Sequence, residues 1–467
     1  MATSGEINRR DFFASGAAGL AGITFLAHPE RIFGANDKVR VAICGLRGRG
    51  QDHLHNYSQI ANAQIAALCD VDENVLRERL AQMDKMGLPK PTTYIDVRKL
   101  LEDKSIDAIS IATPNHWHSL MAIWACQAGK DVYVEKPCSH NLWEGQQLVK
   151  AAQRYGRIVQ HGTQLRSATS ARDAVQKLHS GIIGDTYMAR GLCYKWRDTI
   201  GRAPASAVPA GVDYNLWTGP APQHAFTRNR FHYNWHWFWY YGNGDLGNQG
   251  VHQVDVARWG MGLGFPNRIS ASGGHFMFDD DQETPNDLVC TFEYDLPKRR
   301  MITFEVRHWI TNHEADIGTR KLGTEEAEAA PQEKLGPLAG SHNTIGDIFY
   351  GSNGYLAISD EDASTYIVTL GKNQQSQPPV HGGSERAHFQ NFIDCVLSRK
   401  KADLHAPIEE GHITTGMVHL ANASYRLGRK LQFNPETQEV IGDEEAARLL
   451  RDGDRAYRAP FIVPDNV

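Results

Sequence analysis

The stretch Lys130–His140 reads KDVYVEKPCSH, and the fold of the chain can be worked out from it. Its apolar run, Val132–Val134, is typical of a strand buried in a parallel sheet. Pro137 fixes its own φ and disfavours helix at the preceding residue, so Lys136 follows the strand on an extended turn. Ligands of open α/β sheets bind at this strand edge. Lys136 is therefore either a solvated surface lysine or part of a ligand site, and the flanking sequence decides between them.

Strand and helix patterns alternate on both sides of this stretch. Further apolar runs begin at Val39, Ile65, Ile106 and Ile158, and amphipathic segments separate them. This alternation is typical of a doubly wound parallel sheet with helices on both faces. We therefore predict an N-terminal α/β domain over residues 36–161.

A glycine-rich loop, GLRGRG, follows the first predicted strand. Gly45 and Gly50 match the first and third glycines of the dinucleotide fingerprint G-x-G-x-x-G, whereas Arg47 replaces the second. Gly48 can relieve the resulting crowding one residue later. Arg47 or Arg49 can add a charge-assisted contact to a phosphate. The loop and the strand before it predict that the N-terminal domain is a Rossmann dinucleotide-binding domain.

Asp70 follows the second predicted strand and lies 20 residues beyond Gly50. A carboxylate at this position accepts hydrogen bonds from the adenosine ribose and repels a 2′-phosphate. We therefore predict NAD as the cofactor in preference to NADP. The alternative is that Asp70 is only a turn or helix-cap aspartate.

The pattern changes after Gly162. Longer segments of alternating polarity, such as Thr186–Leu192 and Leu288–Tyr294, occur with few helices between them. They predict a second α+β domain, residues 162–433, with a large, mostly antiparallel open sheet. A polar C-terminal tail is predicted for residues 434–467.

The composition excludes several functional classes. The net charge of −5 argues against a nucleic-acid partner, and 41% hydrophobic with 22% charged residues is ordinary for a soluble globular protein. The seven cysteines contain no C-x-x-C pair. We therefore predict neither a disulfide framework nor a metal site. No segment has the length of a membrane span.

The N-terminal segment resembles an export signal. Arg9 and Arg10 precede a mildly apolar, Gly/Ala-rich stretch at residues 14–27. This arrangement is similar to a Tat signal, which we predict for residues 1–35, with a periplasmic or otherwise exported product. The alternative is a short disordered tail with two chance arginines. Tat carries folded proteins, so a cofactor could be acquired before export.

Four motifs occur in order: the glycine loop, ATPNHWH at residues 112–118, Glu135-Lys136-Pro137, and GDLGNQGVHQVD at residues 244–255. Together they resemble the Gfo/Idh/MocA oxidoreductase family, which includes glucose-fructose oxidoreductase and inositol dehydrogenase. The resemblance runs from residue 38 to about residue 431. It implies a Rossmann domain followed by an open sheet that binds substrate and mediates homo-oligomers, either dimers or tetramers.

The resemblance also implies a catalytic site. It assigns the family's catalytic lysine to Lys136. In the family's second motif, G-G-x-x-x-D-x-x-x-H, Gly244 and His252 match, but Asn248 replaces the aspartate. Lysine is a poor base unless its pKa falls, whereas histidine titrates near neutrality. We therefore predict His252 as the acid/base, Lys136 as its polarising, proton-sharing partner, and Asn248 as the residue that orients the substrate hydroxyl. The alternative for His252 is a packed residue at a helix start.

The other predicted site residues fall into two groups. The cofactor group contains the glycine-loop residues, Asp70, Lys136, Thr113, Pro114, Asn115, His116, His118, Glu135 and Gln164. The substrate group contains Arg166, His232, Trp235, His236, Trp237, Asn248 and His252. Aromatic rings in the second group could stack on the apolar faces of a sugar or simply pack in a core.

Three functions are compatible with this sequence. The main hypothesis is an exported, NAD-dependent oxidoreductase that acts on a secondary hydroxyl, possibly at C3, of a sugar or glycoside, with the cofactor tightly bound. The second is a redox-neutral glycoside hydrolase that uses transient oxidation and elimination. The third is a non-catalytic sugar-binding protein.

Overall fold

The computed structural model describes residues 37–195, 197–295, 297–309, 343–359, 363–383, 385–453 and 457–467. The predicted signal at residues 1–35 lies outside the described residues. The described chain builds two sheets, one parallel and one mostly antiparallel.

The first sheet has six parallel strands in the order β3-β2-β1-β4-β5-β6. They are β1 Val39–Cys44, β2 Ala63–Cys69, β3 Thr92–Tyr94, β4 Ala108–Ile111, β5 Asp131–Val134 and β6 Val159–His161. The order in which successive strands are added to the sheet reverses between β1 and β4. Open α/β sheets bind their ligands at such a switch point. The predicted doubly wound parallel sheet is confirmed.

Helices cover both faces of this sheet. They are α1 Arg49–Ser58, α2 Glu73–Lys85, α3 Val97–Glu102, α4 Asn115–Gln127 and α5 Leu142–Arg154. The sequence pattern missed β3 and α3, which are short. Helix α4 begins at Asn115, directly after Pro114. The first turn of α4 therefore lies at the carboxyl edge of the sheet.

Within the described residues the second sheet has eleven strands, and its central pair, β7 with β10, is parallel. The strands are β7 Thr186–Lys195, β8 Arg268–Gly274, β9 Asp287–Tyr294, β10 Arg300–His308, β11 Thr344–Gly351, β12 Gly354–Ser359, β13 Thr365–Leu370, β14 Gln375–Ser376, β15 Val380–His381, β16 Leu431–Asn434 and β17 Glu439–Val440. The remaining helices are α6 Thr169–His179, α7 Tyr214–Thr218, α8 Val251–Met261, α9 Glu385–Ser398, α10 Ile408–Leu427 and α11 Glu444–Asp452. The predicted mostly antiparallel sheet is confirmed.

Helices α6, α8 and α10 pack on one face of the second sheet and bury its main core. A smaller cluster lies on the other face and contains Leu192, Tyr194, Ile348 and Ala357. The open sheet therefore has one thickly covered face and one sparsely covered face.

Late segments of the chain pack into the first domain. Phe389 of α9 stacks on Tyr133 of β5, with ring centroids 4.8 Å apart. Phe461 is buried against Trp117 of α4, at 5.4 Å. The sequence-based boundaries placed α9 in the second domain and Phe461 in a tail. The packing differs because both segments carry apolar rings that complete the helix layers of the first sheet.

All seven cysteines are buried, and none forms a disulfide bond. Within the described part of the chain, no helix combines the length and the apolarity that a bilayer crossing requires.

Candidate active site

A cavity of about 460 Å³ lies at the carboxyl edge of the parallel sheet, within the size range of small-molecule sites. Its walls come from the glycine loop, from the segments that follow β2, β4 and β5, and from residues between Leu216 and Asn248. The cavity brings together most of the predicted site residues, namely Gly45, Arg47, Gly48, Arg49, Asp70, Thr113, Pro114, Asn115, His118, Glu135, Lys136, His232, Trp235, His236 and Asn248.

The glycine loop has no space for side chains at its first and third glycines. Gly45 has φ +81°, and a Cβ there would lie 2.6 Å from the Ala112 carbonyl oxygen. A Cβ on Gly50 would lie 1.9 Å from the Gly45 carbonyl oxygen. Gly48 has φ +37° but open space around it. The absence of a Cβ at Gly45 and Gly50 thus allows neighbouring backbone segments to approach each other closely. Gly48 supplies only a backbone conformation that other residues rarely adopt.

Asp70 ties the glycine loop to the end of β2. Its carboxylate accepts hydrogen bonds from the backbone N–H of Leu46, at 2.8 Å, and of Asp72, at 3.0 Å. Burial raises the pKa of Asp70 to about 6, although both N–H donors act in the opposite direction. Asp72 and Asp96 line the same end of the cavity. This end is therefore rich in carboxylates.

Glu135 forms a buried anion beneath the cavity. Its Oε1 accepts from Arg49 Nε at 2.6 Å and from His53 Nε2 at 3.0 Å, and its Oε2 accepts from the Lys136 backbone N–H at 3.2 Å. Burial opposes ionisation, but the Arg49 charge and the His53 bond hold the pKa of Glu135 well below its usual range. Arg49 also pairs with Glu385 of α9. Sequence reasoning missed His53, since a single histidine on α1 gives no motif.

Lys136 is partly buried and points its amine at Asn248. Its Nζ donates to the main-chain oxygen of Asn248 at 2.6 Å and to the side-chain Oδ1 at 3.2 Å. Burial lowers the pKa of Lys136 to about 8; Glu135 opposes this shift and the Arg49 charge adds to it. A useful fraction of this amine is therefore neutral near pH 7 to 8.

Asn248 and His252 lie on consecutive helical turns but in different surroundings. Asn248 belongs to a π-helical turn, Leu246–Gly250, which runs directly into α8. Such turns are frequent at functional sites. His252 is only 5% exposed and is not among the cavity-lining residues, and its Nδ1 is buried without a hydrogen-bond partner. Burial and the Lys136 charge hold the pKa of His252 well below its usual range, so it is neutral at physiological pH.

Besides His252, two predicted substrate residues do not line the cavity. The Arg166 guanidinium is buried and binds Asp255 through two hydrogen bonds of 2.7 and 2.9 Å. Trp237 is buried, and the Arg197 guanidinium lies 4.9 Å from its ring centre. Arg166 instead neutralises a buried carboxylate, and Trp237 packs in an aromatic core. Neither side chain lines the cavity.

Three predicted cofactor residues also lie away from the cavity lining. His116 is buried, with its Nε2 2.9 Å from the Trp217 carbonyl oxygen. Gln164 has a buried Oε1 without a partner. Gly50 does not line the cavity; it packs so closely against Gly45 that a Cβ at Gly50 would meet the Gly45 carbonyl oxygen. His118 does reach the cavity, but its ring nitrogens lie 2.7 Å from the carbonyl oxygens of Pro137 and Thr113.

Aromatic side chains form one wall of the cavity. Trp235 and His236 stack with ring centroids 3.6 Å apart, and both line the cavity. Trp217, Phe231 and Tyr233 extend this wall, and sequence reasoning did not assign them to the site. Burial and the Lys136 charge lower the pKa of His236 to about 3. The wall is therefore uncharged.

A strap from the predicted second domain pairs with the segment after β2, next to the carboxylate-rich end of the cavity. We define it as residues 209–213. Asp72 and Val212 pair as an antiparallel bridge. The Glu73 N–H donates to the Gly211 carbonyl at 2.9 Å, and the Asp213 N–H donates to the Val71 carbonyl at 2.9 Å. The strap thus adds backbone hydrogen bonds to the segment after β2.

These residues fit a bound dinucleotide. The loop cradle exists because Gly45 has no Cβ. Thr113 lines the cavity and has a buried Oγ1 without a hydrogen-bond partner. Asp70 stands at the end of β2, where Rossmann folds hold the adenosine ribose. The fold and the site together define an oxidoreductase-type dinucleotide-binding protein.

Comparison with known proteins identifies the family. Residues 39–163 match the model of an oxidoreductase family with an NAD-binding Rossmann fold. Residues 178–268 and 379–461 match the model of an oxidoreductase-family C-terminal alpha/beta domain. The two models match well over half of the chain. The protein belongs to the Gfo/Idh/MocA oxidoreductase family.

One curated relative is a glycosyl hydrolase family 109 protein from Shewanella pealeana. It is 36% identical over 122 residues, which is 25% of this chain and 27% of the relative. The chain thus matches only about a quarter of the length of the curated relatives.

Solved structures share the whole fold at low sequence identity. The WlbA dehydrogenase from Bordetella pertussis, in complex with NADH and UDP-GlcNAcA, has a TM-score of 0.60 at 16% identity and covers 85% of this chain and 99% of its own. A levoglucosan dehydrogenase in complex with NADH and levoglucosan has a TM-score of 0.60 at 15% identity, with 85% and 99% covered. These likenesses show the fold.

Proposed function

We propose that the protein is an NAD-dependent oxidoreductase that acts on a secondary hydroxyl of a sugar or glycoside. The observation that carries the proposal is the position of Lys136. Its amine, with a pKa lowered to about 8, lines the same cavity as the glycine loop and the aromatic wall. A base, a dinucleotide cradle and a sugar-stacking surface thus meet in one place.

In this proposal Lys136 is the general base. Alcohol oxidation requires a group that accepts the hydroxyl proton, and the neutral amine of Lys136 is available near pH 8. His252 is a weaker proton acceptor because its pKa is held well below its usual range. We therefore reverse the assignment made from sequence: Lys136 accepts the proton, and His252 is a neutral neighbour.

The cofactor, when bound, supplies a nicotinamide ring as the hydride acceptor. We propose NAD rather than NADP, because Asp70, Asp72 and Asp96 gather at one end of the cavity. Negative charge there disfavours a 2′-phosphate. Isothermal titration of the nucleotide-free protein should give at least about tenfold tighter binding of NAD. Equal affinity for both nucleotides would contradict this choice.

A sugar is the proposed substrate because of the aromatic wall. Trp235, His236 and Tyr233 line the cavity, which also contains Lys136. Aromatic rings stack on the apolar faces of pyranoses, and their polar tips bind hydroxyls. A levoglucosan dehydrogenase and a dehydrogenase bound to a sugar nucleotide share this fold.

The test begins with mass spectrometry of the denatured, purified protein for bound nucleotide. A panel of sugars and glycosides is then followed at the NADH absorbance band in single turnover. Lys136→Met should abolish NADH formation, and Lys104→Met, an exposed lysine away from the cavity, should not. If no sugar is oxidised and Lys136→Met matches wild type with every compound, the proposal is wrong.

A second function is redox-neutral glycoside hydrolysis, favoured by the partial similarity to glycosyl hydrolase family 109 proteins. The same cavity would then oxidise a glycoside transiently and return the hydride after the aglycone has left. Release of free sugar and aglycone, with NAD unchanged over many turnovers, would identify this function. Stoichiometric NADH would identify net oxidation.

Export and assembly are further proposals. We propose that residues 1–35 direct export through the Tat pathway to the periplasm, because Arg9 and Arg10 precede an apolar stretch. Replacement of both arginines by lysine should keep the protein in the cytoplasmic fraction; continued export would contradict the proposal.

We also propose that the sparsely covered face of the second sheet forms a homo-oligomer. Val289 on β9 is 48% exposed, and the strand register places it beside Glu305, on the same face as Leu192. Exposed apolar side chains on a sheet face are typical of an interface. Light scattering should report a dimer or tetramer, and Val289→Lys should weaken it. A monomer at high concentration would contradict the proposal.

A further inference from the structure

The orientation of the Asn248 amide follows from its two neighbours. Lys136 Nζ can only donate when it is charged, and the ionised carboxylate of Asp245 can only accept. The amide oxygen Oδ1 therefore faces Lys136, at 3.2 Å, and the amide NH₂ faces Asp245 Oδ1, at 3.1 Å. Asn248 thus lies between a base and a fixed anion, with its dipole set by both.

Asp245 is a buried anion held by three further contacts. Arg197 donates to both carboxylate oxygens, at 2.8 and 3.0 Å, and His308 Nε2 donates to Oδ2 at 2.8 Å. The Cys193 thiol lies 3.8 Å from the same oxygen. Burial opposes ionisation, but the Arg197 charge and the His308 bond hold the pKa of Asp245 well below its usual range. Its carboxylate is fixed in place and stays charged.

The two oxygens of Asn248 match the two hydrogens of a neutral amine. Neutral Lys136 has two N–H bonds and one lone pair, and its nitrogen lies within hydrogen-bond distance of the Asn248 main-chain oxygen and Oδ1. If both N–H bonds point at Asn248, the lone pair points elsewhere. Lys136 lines the cavity, which leaves the cavity as the open direction for the lone pair.

We propose that Asp245 is a positioning residue which, through the amide of Asn248, holds neutral Lys136 with its lone pair directed into the cavity. This proposal rests on the proposed role of Lys136 as base. When the substrate O–H bond breaks, the proton joins the lone pair and forms the ammonium. Two of its N–H bonds stay on Asn248, and the third donates to the oxygen that the proton left.

The proposal explains why residue 248 is an amide. A carboxylate there would lie against Asp245, and two carboxylates so close cannot both ionise freely. It would also face Lys136 directly and favour the ammonium form. Asn248 accepts the same hydrogen bonds without a charge. The negative charge is then on Asp245, which contacts Asn248 and lies farther from Lys136.

The test measures the Lys136 amine and needs no substrate. Full-length protein is trace-labelled with acetic anhydride across a pH series, and peptide mass spectrometry gives the labelling rate of each lysine. Only neutral amines react. Lys130 is the internal control: it is buried, donates to the carbonyl oxygens of Asp103 and Ile106, and also has a pKa lowered to about 8. Its labelling should not change in any variant.

Asn248→Asp should raise the labelling midpoint of Lys136 by at least one pH unit, which is about a tenfold lower rate at pH 8. Asp245→Asn should lower the midpoint, and the shift should shrink to less than half in an Asn248→Ala background, because Asp245 acts through residue 248. Additive shifts in the double variant, or an unchanged midpoint in Asn248→Asp, would overturn the proposal.

Wild-type protein gives a result that does not depend on the folding of any variant. Lys136 should be labelled with a midpoint near 8, and a midpoint near the ordinary 10.4 of lysine would also overturn the proposal. A wrong substrate class leaves all of these measurements unaffected. Failure of this proposal and failure of the proposed function are therefore distinguishable.

Discussion

Arg47 of the glycine loop and His232 of the aromatic wall meet across the mouth of the cavity, with Nη1 3.1 Å from Nε2. Arginine can only donate, so His232 accepts with a neutral ring. His232 holds this position with φ +60°, which is uncommon outside glycine. Burial and the Arg47 charge lower the pKa of His232 to about 4. Arg47, which replaces the second glycine of the fingerprint, thus links the glycine loop to the aromatic wall.

The contact between Arg47 and His232 should slow the exchange of the cofactor. Arg47→Gly, which restores the fingerprint, and His232→Ala should each raise the dissociation rate of NAD by about tenfold, the equivalent of one hydrogen bond to a charged group. Stopped-flow displacement by a fluorescent analogue measures this rate. Arg451→Ala, on exposed α11, serves as the control. If Arg47→Gly dissociates NAD no faster than the control, the contact does not retain the cofactor.

The rate of substrate oxidation should depend on the protonation of Lys136. The base must be neutral, and its pKa is lowered to about 8. The single-turnover rate should therefore rise about tenfold per pH unit below 8 and level off above it. The reverse reaction needs the ammonium and should show the opposite trend. A rate that instead follows a group titrating near 6.5 would restore the role of base to a histidine.

Gly50 should tolerate no side chain. In Gly50→Ala the new Cβ would meet the Gly45 carbonyl oxygen at 1.9 Å, which forces backbone to move. We expect a loss of about 2 kcal/mol or more in the free energy of unfolding, together with loss of NAD binding. Gly264→Ala is the matched control, because nothing lies within 4 Å of its Cβ position. Urea unfolding and nucleotide titration measure both effects; equal stability of the two variants would refute the role of Gly50.

Acid should destabilise the protein through its buried histidines. Burial lowers the pKa of His161 to about 4 and that of His388 to about 3. Unfolded histidine binds a proton near pH 6.5, so the unfolded state takes up more protons as the pH falls from about 6.5 towards 4. His161 alone contributes on the order of 3 kcal/mol to this loss. The melting temperature should therefore fall steadily below pH 6.5, and a constant value down to pH 4.5 would contradict the prediction.

The strand-end residues of the first domain could be predicted because their position follows from local pattern alone. Asp70 and Lys136 each follow an apolar run, and parallel strands bring their carboxyl ends to one edge. The second sheet was predicted from alternating polarity for the same reason. Strand β11 was missed, where Gly346 and Asp347 interrupt the alternation, and so were the short strands β14 to β17.

The remaining site depended on pairings between distant residues. Arg166 was assigned to the substrate because nothing local shows that Asp255, 89 residues later, takes its charge. The strap at residues 209–213 was missed because it pairs mainly through backbone atoms, which leave no residue pattern in the sequence. The acid/base assignment to His252 rested on the ordinary pKa of histidine, and burial beside Lys136 changes that value.

The stacking of Phe389 on Tyr133 has a consequence for the order of events during synthesis. The ribosome completes β1 to β6 long before it reaches α9, so a nascent first domain lacks the ring that stacks on Tyr133. Glu385, the partner of Arg49 on the same helix, is also made late. The glycine loop therefore acquires its final set of contacts only when most of the chain has been made. Cofactor binding would then select full-length chains, because truncated chains lack α9, whose Glu385 pairs with Arg49 of the glycine loop.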